Sequence, residues 1–155
     1  MFGLFKKKKK EAIIFEDCNW NKFCDWCVDT GYGDDYFDII KTDNSELEKV
    51  AYYLFWVQSE VNNGGYQQFF SNKEDWKHDK ANSLIKKYLP DDLFNNHLRA
   101  YNDFKKDNFE TAEMVGDKGH ELYIADNFFY DNEKRFMEIL EDIADKIIDS
   151  KSTPQ

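Results

Sequence analysis

Apolar residues recur at helical spacing along most of the chain. The clearest run opens at Ser45, where Ser45 and Glu48 form a capping box. Leu47, Val50, Ala51, Leu54, Val57 and Val61 follow at steps of three and four. The run stops at Asn62-Asn63-Gly64-Gly65, residue types that tolerate the left-handed conformation closing a helix. Residues 66–71 then read as a short restart. A second helix is expected over 76–89, with Trp76, Ile85 and Leu89 among its apolar positions. Pro90 ends that helix and opens the next, because proline suits a first helical turn. Leu93, Phe94, Leu98, Tyr101 and Phe104 form its buried stripe. The last helix is expected over 133–149 with Asn132 as its cap. Before Ser45 the pattern is ambiguous: 19–28 reads as a short helix, and Ala12-Ile13-Ile14-Phe15 as a strand.

These elements predict an all-α fold: one compact multi-helix domain over 11–150, with an irregular or strand-like segment at its start. Residues 1–10 form a basic tail and 151–155 a polar end. At 155 residues the chain is long enough to bury roughly 68–70% of its unfolded surface, so it needs no disulfide or metal to fold. Seven glycines and two prolines also favour helices over a turn-rich β-sandwich.

Charge changes the picture most. The net charge is −10, and five of the 21 basic residues are Lys6, Lys7, Lys8, Lys9 and Lys10. The rest of the chain sets 16 bases against 31 acids, a surplus of 15 negative charges. Such a body repels phosphate backbones, which argues against direct nucleic-acid binding and for a basic partner. Plain solubility explains an acidic surface equally well. No run approaches the roughly 18 apolar residues of a spanning helix. Three cysteines, an odd number, with no secretory signal pattern point to a reducing, cytoplasmic setting. Phe2, Leu4 and Phe5 beside the lysines, the segment Phe2 to Lys10, could touch an anionic membrane.

The last helix carries an acidic face. Phe136, Leu140, Ile143 and Ile147 share one side; Glu138, Glu141, Asp142, Asp145 and Asp149 share the other. Those five carboxylates span roughly 16 Å at 1.5 Å per residue, about one charge per 4 Å. One DNA strand carries roughly one per 3.4 Å. The row also breaks local rules, since like charges three or four apart repel and Asp145 and Asp149 meet the negative end of the helix dipole. A solvated helix face is the ordinary explanation.

The segment from Trp56 to Asn72 reads as a helix end, a glycine turn and a second helix rich in aromatics. Asn62 and Asn63 are expected to bond free carbonyls, and Gln67, Gln68 and Asn72 to satisfy buried backbone groups. Tyr66, Phe69 and Phe70 are expected in the core. On this reading the corner is structural. The same stretch resembles the signature of the bacterial DNA-mimic protein family. The matching residues are Glu60, Val61, Asn62, Asn63, Gly64, Gly65, Gln68, Phe69, Phe70 and Asn72, and Asp126-Asn127-Phe128-Phe129-Tyr130 is similar to a later family segment. The resemblance spans about 45–149. It implies an all-α fold and a non-enzymatic, acidic protein that imitates double-stranded DNA. It further implies binding to the DNA-binding surface of a helix-turn-helix transcription regulator. The family's acidic contacts have no motif, so the candidate row of Glu138, Glu141, Asp142, Asp145 and Asp149 rests on spacing alone.

Other chemistry is weaker. Cys24-x-x-Cys27, with Cys18 nearby, lacks the fourth ligand of a zinc site, and a redox role lacks a βαβ setting, so structural cysteines are favoured. His78, His97 and His120 are isolated. Gly31-Tyr32-Gly33 is not a phosphate loop, and Asp34, Asp35 and Asp38 do not complete a calcium loop. No catalytic residue, metal or cofactor is expected. An alternative class is an enzyme with a polar site at Asn63-Gly64-Gly65, lined by Glu60, Gln68 and a histidine. Glu60 and Asp126 as an acid–base pair is weighed against each simply capping a backbone group or meeting a cation.

Overall fold

The computed structural model describes residues 19–29, 45–106 and 121–152. The expected strand at 12–15, the tail at 1–10, Cys18, His120 and the 31–38 segment lie outside the described residues. Within them the fold is all-α. Helix α1 spans Asn19–Asp29, α2 Glu46–Asn72, α3 His78–Ile85, α4 Asp91–Lys106, α5 Glu121–Asp131 and α6 Glu133–Ser152.

Helix α2 starts as its sequence dictates. Ser45 is extended, and its hydroxyl accepts the Glu48 N–H at 3.2 Å. Val50, Ala51, Leu54, Val57 and Val61 are all buried. At 27 residues α2 is the longest described helix, and every other described helix packs against it. It does so by bending. Gly64 leaves helical geometry with an extended φ of −161°, and Gly65 takes φ 77°, ψ 178°, a region that favours glycine. The bend frees N–H groups at the start of the second half. The Tyr66 N–H donates to the Asp126 carboxylate of α5 at 2.8 Å. A neighbouring helix therefore caps the restarted one. Asp126 is half-buried, and burial pushes its carboxyl above the usual carboxylate range although the Tyr66 N–H pulls the other way.

Beyond the bend, Tyr66, Phe69 and Phe70 enter the core, as expected. They meet a buried polar chain centred on Tyr53. His78 Nε2 lies 2.8 Å from the Lys73 carbonyl, which can only accept, so that nitrogen carries the proton. Neutral His78 then accepts the Tyr53 O–H at Nδ1, 2.9 Å away. The Tyr53 oxygen in turn accepts His97 Nε2–H at 3.1 Å. Both histidines fit this chain uncharged. Desolvation lowers both: His97 falls to about 3, with the neighbouring His78 adding to the shift, and His78 moves the same way.

Helix α4 follows its reading closely. The Phe94 N–H donates to the Pro90 carbonyl, Asp91 and Asp92 fill the first turn, and Lys105 and Lys106 the last, matching the helix dipole. Asn96 on α4 donates to the Ala125 carbonyl of α5 at 3.0 Å. Four differences from the expected elements emerge. The helix expected over 76–89 is α-helical only over His78–Ile85; Trp76 packs before it, and tighter turns run to Leu89. Helix α5 has no counterpart in the sequence reading, and the final helix extends to Ser152. Asn132 does not cap α6 with its side chain: its amide donates back to the Phe128 carbonyl and its oxygen accepts from Arg135.

Two outcomes test this packing. Gly65→Ala forces a side chain onto a positive φ and against the Asp126 carboxylate, and should cost about 1–3 kcal/mol in urea unfolding. Gly64→Ala keeps an allowed extended φ but meets the Gln68 side chain from its amide end back to Cβ, so Gln68 must release Glu60; it should cost less than Gly65→Ala. For the histidines, a lowered folded pKa contributes stability in full above the unfolded value near 6.5. It is lost as pH falls below that value, because the unfolded chain binds protons the folded one refuses. Each histidine adds up to about 1.4 kcal/mol per pH unit of lost stability there. In NMR titration the His97 ring should stay neutral from pH 8 to about pH 4, well above its folded pKa of about 3.

Candidate functional site

The acid row is built on α6. Phe136, Leu140, Ile143, Ala144 and Ile147 are buried against α1, α2 and α5, which fixes how the helix is rotated. Glu138, Glu141, Asp142, Asp145 and Asp149 are all exposed. At 100° per residue they occupy an arc of about 100° opposite the buried side. Two of the five meet lysines one turn away: Lys146 sits 2.7 Å from Asp142, and Lys134 sits 3.8 Å from Glu138. Each of the four side chains is more than 60% exposed, and pairs of that kind are weak and readily exchanged.

One edge of the row borders a groove of about 540 Å³ between α6 and the turn after α3. Ile139, Ile143 and Tyr88 supply its apolar lining, and Glu138 and Asp142 belong to both row and groove. Its cations are matched: Lys87 pairs with Glu46 at 3.0 Å, Arg135 with Asp92 at 2.7 Å, and Lys146 with Asp142. Arg135 grips both Asp92 oxygens, a fork geometry that pins the first turn of α6 to the first turn of α4 and holds the Asp92 carboxyl below its usual range.

The corner at Asn62, Asn63, Gly64 and Gly65 has a different character. The Glu60 Oε2 accepts from Gln68 at 2.8 Å and from Asn72 at 2.9 Å, so these amides bridge the bend through a carboxylate rather than bonding backbone groups. Asn62 donates to Glu133 at 2.8 Å rather than to a carbonyl, tying the corner to the start of α6. Asn63 is exposed. Phe69 and Phe70 are buried, with ring centroids 4.9 Å apart. Glu60 thus ties the first half of the corner to the second, while Asp126 caps the second half from α5. His78 and His97 are bound to Tyr53 in the core. The Tyr130 hydroxyl, at the end of the segment similar to the family's later one, donates to the Val61 carbonyl at 3.0 Å and closes the last turn before the bend.

On α1, Cys27 is buried and Cys24 half-buried. Burial, with Cys24 adding to it, pushes the Cys27 thiol up and away from the thiolate that metal binding or redox exchange uses. Among the described residues no group of three His, Cys, Asp or Glu could hold a metal ion, and no helix is long and apolar enough to cross a membrane.

No curated protein and no solved structure matches the chain. A family model described as DMP19-like protein matches residues 43–150, which include α2 through nearly all of α6, the glycine corner and the whole acid row. With more than two thirds of its length matched, the chain belongs to the DMP19-like protein family.

Proposed function

We propose that the protein is a non-enzymatic DNA mimic of the cytoplasm that occupies the DNA-binding surface of a helix-turn-helix transcription regulator. The observation that carries this reading is the exposed row on α6. Five carboxylates stand within one arc of a helix whose other face is locked in the core. Their spacing of about 4 Å is near that of phosphates along a strand. Rigidity matters because a regulator's arginines and lysines are arranged for a fixed charge lattice, and a mobile acidic chain would lose entropy on matching it. Lys134 and Lys146 do not remove the row. An arriving guanidinium exchanges an exposed lysine pair for a forked hydrogen bond at small cost. Membership in the DMP19-like family supports the same reading.

The corner favours structure over catalysis. Its carboxylates and amides bond one another or the backbone, and its aromatics are core residues.

The test uses the full chain and the helix-turn-helix regulators encoded by the same genome. At least one should bind, with affinity falling steeply as salt rises, and its operator duplex should compete with the protein for it. Combining Glu141→Gln with Asp145→Asn should weaken that complex by about tenfold while leaving thermal stability unchanged. A complex indifferent to salt, or one that accepts operator DNA at the same time, overturns the reading.

A further inference from the structure

We infer that the Tyr53 hydroxyl is the pivot of an acid-responsive switch in the core: when His78 takes up a proton, the hydroxyl turns from His78 to His97, and His97 changes from its Nε2–H to its Nδ1–H form. Counting donors decides this. In the neutral state the Lys73 carbonyl holds the proton on His78 Nε2, so Nδ1 accepts the Tyr53 O–H and the Tyr53 oxygen accepts His97 Nε2–H. A charged His78 carries protons on both nitrogens, and its Nδ1–H then donates to the Tyr53 oxygen 2.9 Å away. The hydroxyl has one proton, and its hydrogen-bond partners among the described residues are these two ring nitrogens. Once His78 Nδ1 is a donor, the acceptor left for that proton is His97 Nε2, 3.1 Å away, which must then be bare. Tyr53 is fully buried, so a hydroxyl proton aimed at nothing would carry its whole desolvation penalty.

A single proton balances the change. The Tyr53 proton passes to His78 Nδ1, the His97 Nε2 proton passes to the Tyr53 oxygen, and one proton from solvent ends on His97 Nδ1. Every hydrogen bond keeps its partners, and the two at Tyr53 invert. The charge resides on His78 because its surroundings favour it there. The Lys73 carbonyl and the Asp79 carboxylate both work against desolvation at His78, whereas at His97 the neighbouring His78 adds to it. Of the groups facing His78, Tyr53 comes from α2, His97 and Tyr101 from α4, and Asp79, which also meets Tyr101, from α3 itself. The Lys73 ammonium lies over the Trp56 and Trp76 rings. His97 faces Tyr53 and Tyr66 of α2. The two histidines therefore take up their first proton as one unit. The switch does not depend on the function proposed above.

The experiment is NMR of the full chain with isotope-labelled histidine rings, titrated from neutral pH down to about pH 4, which reports the proton on each ring nitrogen separately. His78 should gain its second ring proton, and at the same midpoint His97 should move its proton from Nε2 to Nδ1 while staying neutral. Tyr53→Phe removes the pivot, so His97 should then keep one form throughout while His78 still titrates. The switch is overturned if His97 holds Nε2–H while His78 charges, changes form at a different midpoint, or charges first. Loss of the folded spectrum before His78 titrates overturns it too, as does a change of His97 form that persists in Tyr53→Phe. Where Tyr53→Phe does not fold, the two midpoints in the unaltered chain decide alone.

Discussion

The fold depends on the bend in α2 at Gly64 and Gly65 and on the Asp126 carboxylate that closes it. A straight helix of 27 residues would run about 40 Å, longer than a domain of this size can cover on all sides. Bent, it brings Tyr53 from its first half and Phe69 and Phe70 from its second to one aromatic centre, with Tyr53 and Phe69 rings 5.5 Å apart and edge to face. The bend costs backbone hydrogen bonds. Asp126 restores one by accepting the Tyr66 N–H, and Glu60 clamps Gln68 and Asn72 across the break. A displaced Asp126 would leave a buried N–H without its acceptor, and a protonated one would hold it by a weaker neutral hydrogen bond, so the capping group and the glycines act as one unit.

The bend also fixes the candidate site, although it lies apart from the acid row. Asn62, at the last turn before the glycines, holds Glu133 at the start of α6. The Tyr130 hydroxyl reaches the Val61 carbonyl from the end of α5. Arg135 locks the same turn of α6 to Asp92 on α4. Three polar ties therefore converge where α6 begins, and five buried apolar side chains set its rotation from there onward. An exposed row of like charges is tolerable on such a helix because burial of the opposite face outweighs repulsions of about 0.2–0.5 kcal/mol per pair.

What the sequence made legible was periodic. The cap at Ser45, the stripe of α2, the break at Gly64-Gly65, the start of α4 at Pro90 and the two faces of α6 all follow from spacing and turn chemistry. Helix α5 was hidden because Leu122, Ala125 and Phe129 are buried at helical steps, while Ile124 and Tyr130 stay exposed and blur the stripe. The Tyr53–His78–His97 chain was hidden for another reason. Its members lie 25 and 44 residues apart, and no local pattern marks a histidine as neutral and buried. The amides at the corner were read as backbone caps, yet they bond carboxylates, because a tertiary partner competes with the local one.

The acid row was legible as a pattern, and its physical meaning depends on arrangement rather than amount. Helix α6 carries six acids, including Glu133, against four bases, Lys134, Arg135, Lys146 and Lys151, so its surplus is small. Arg135 and Lys146 stand at the groove edge of the arc, and Lys134 at its N-terminal end. Glu141 and Asp145, both exposed, stand farther round the arc from the groove. A partner attracted by total charge would find stronger attraction in the acidic body as a whole. One that reads α6 must respond to position along a rigid line, which is how a duplex presents its phosphates. A rigid line is what α6 supplies: Asn62 and Asp92 tie its first turn, and the face opposite the row is fully buried.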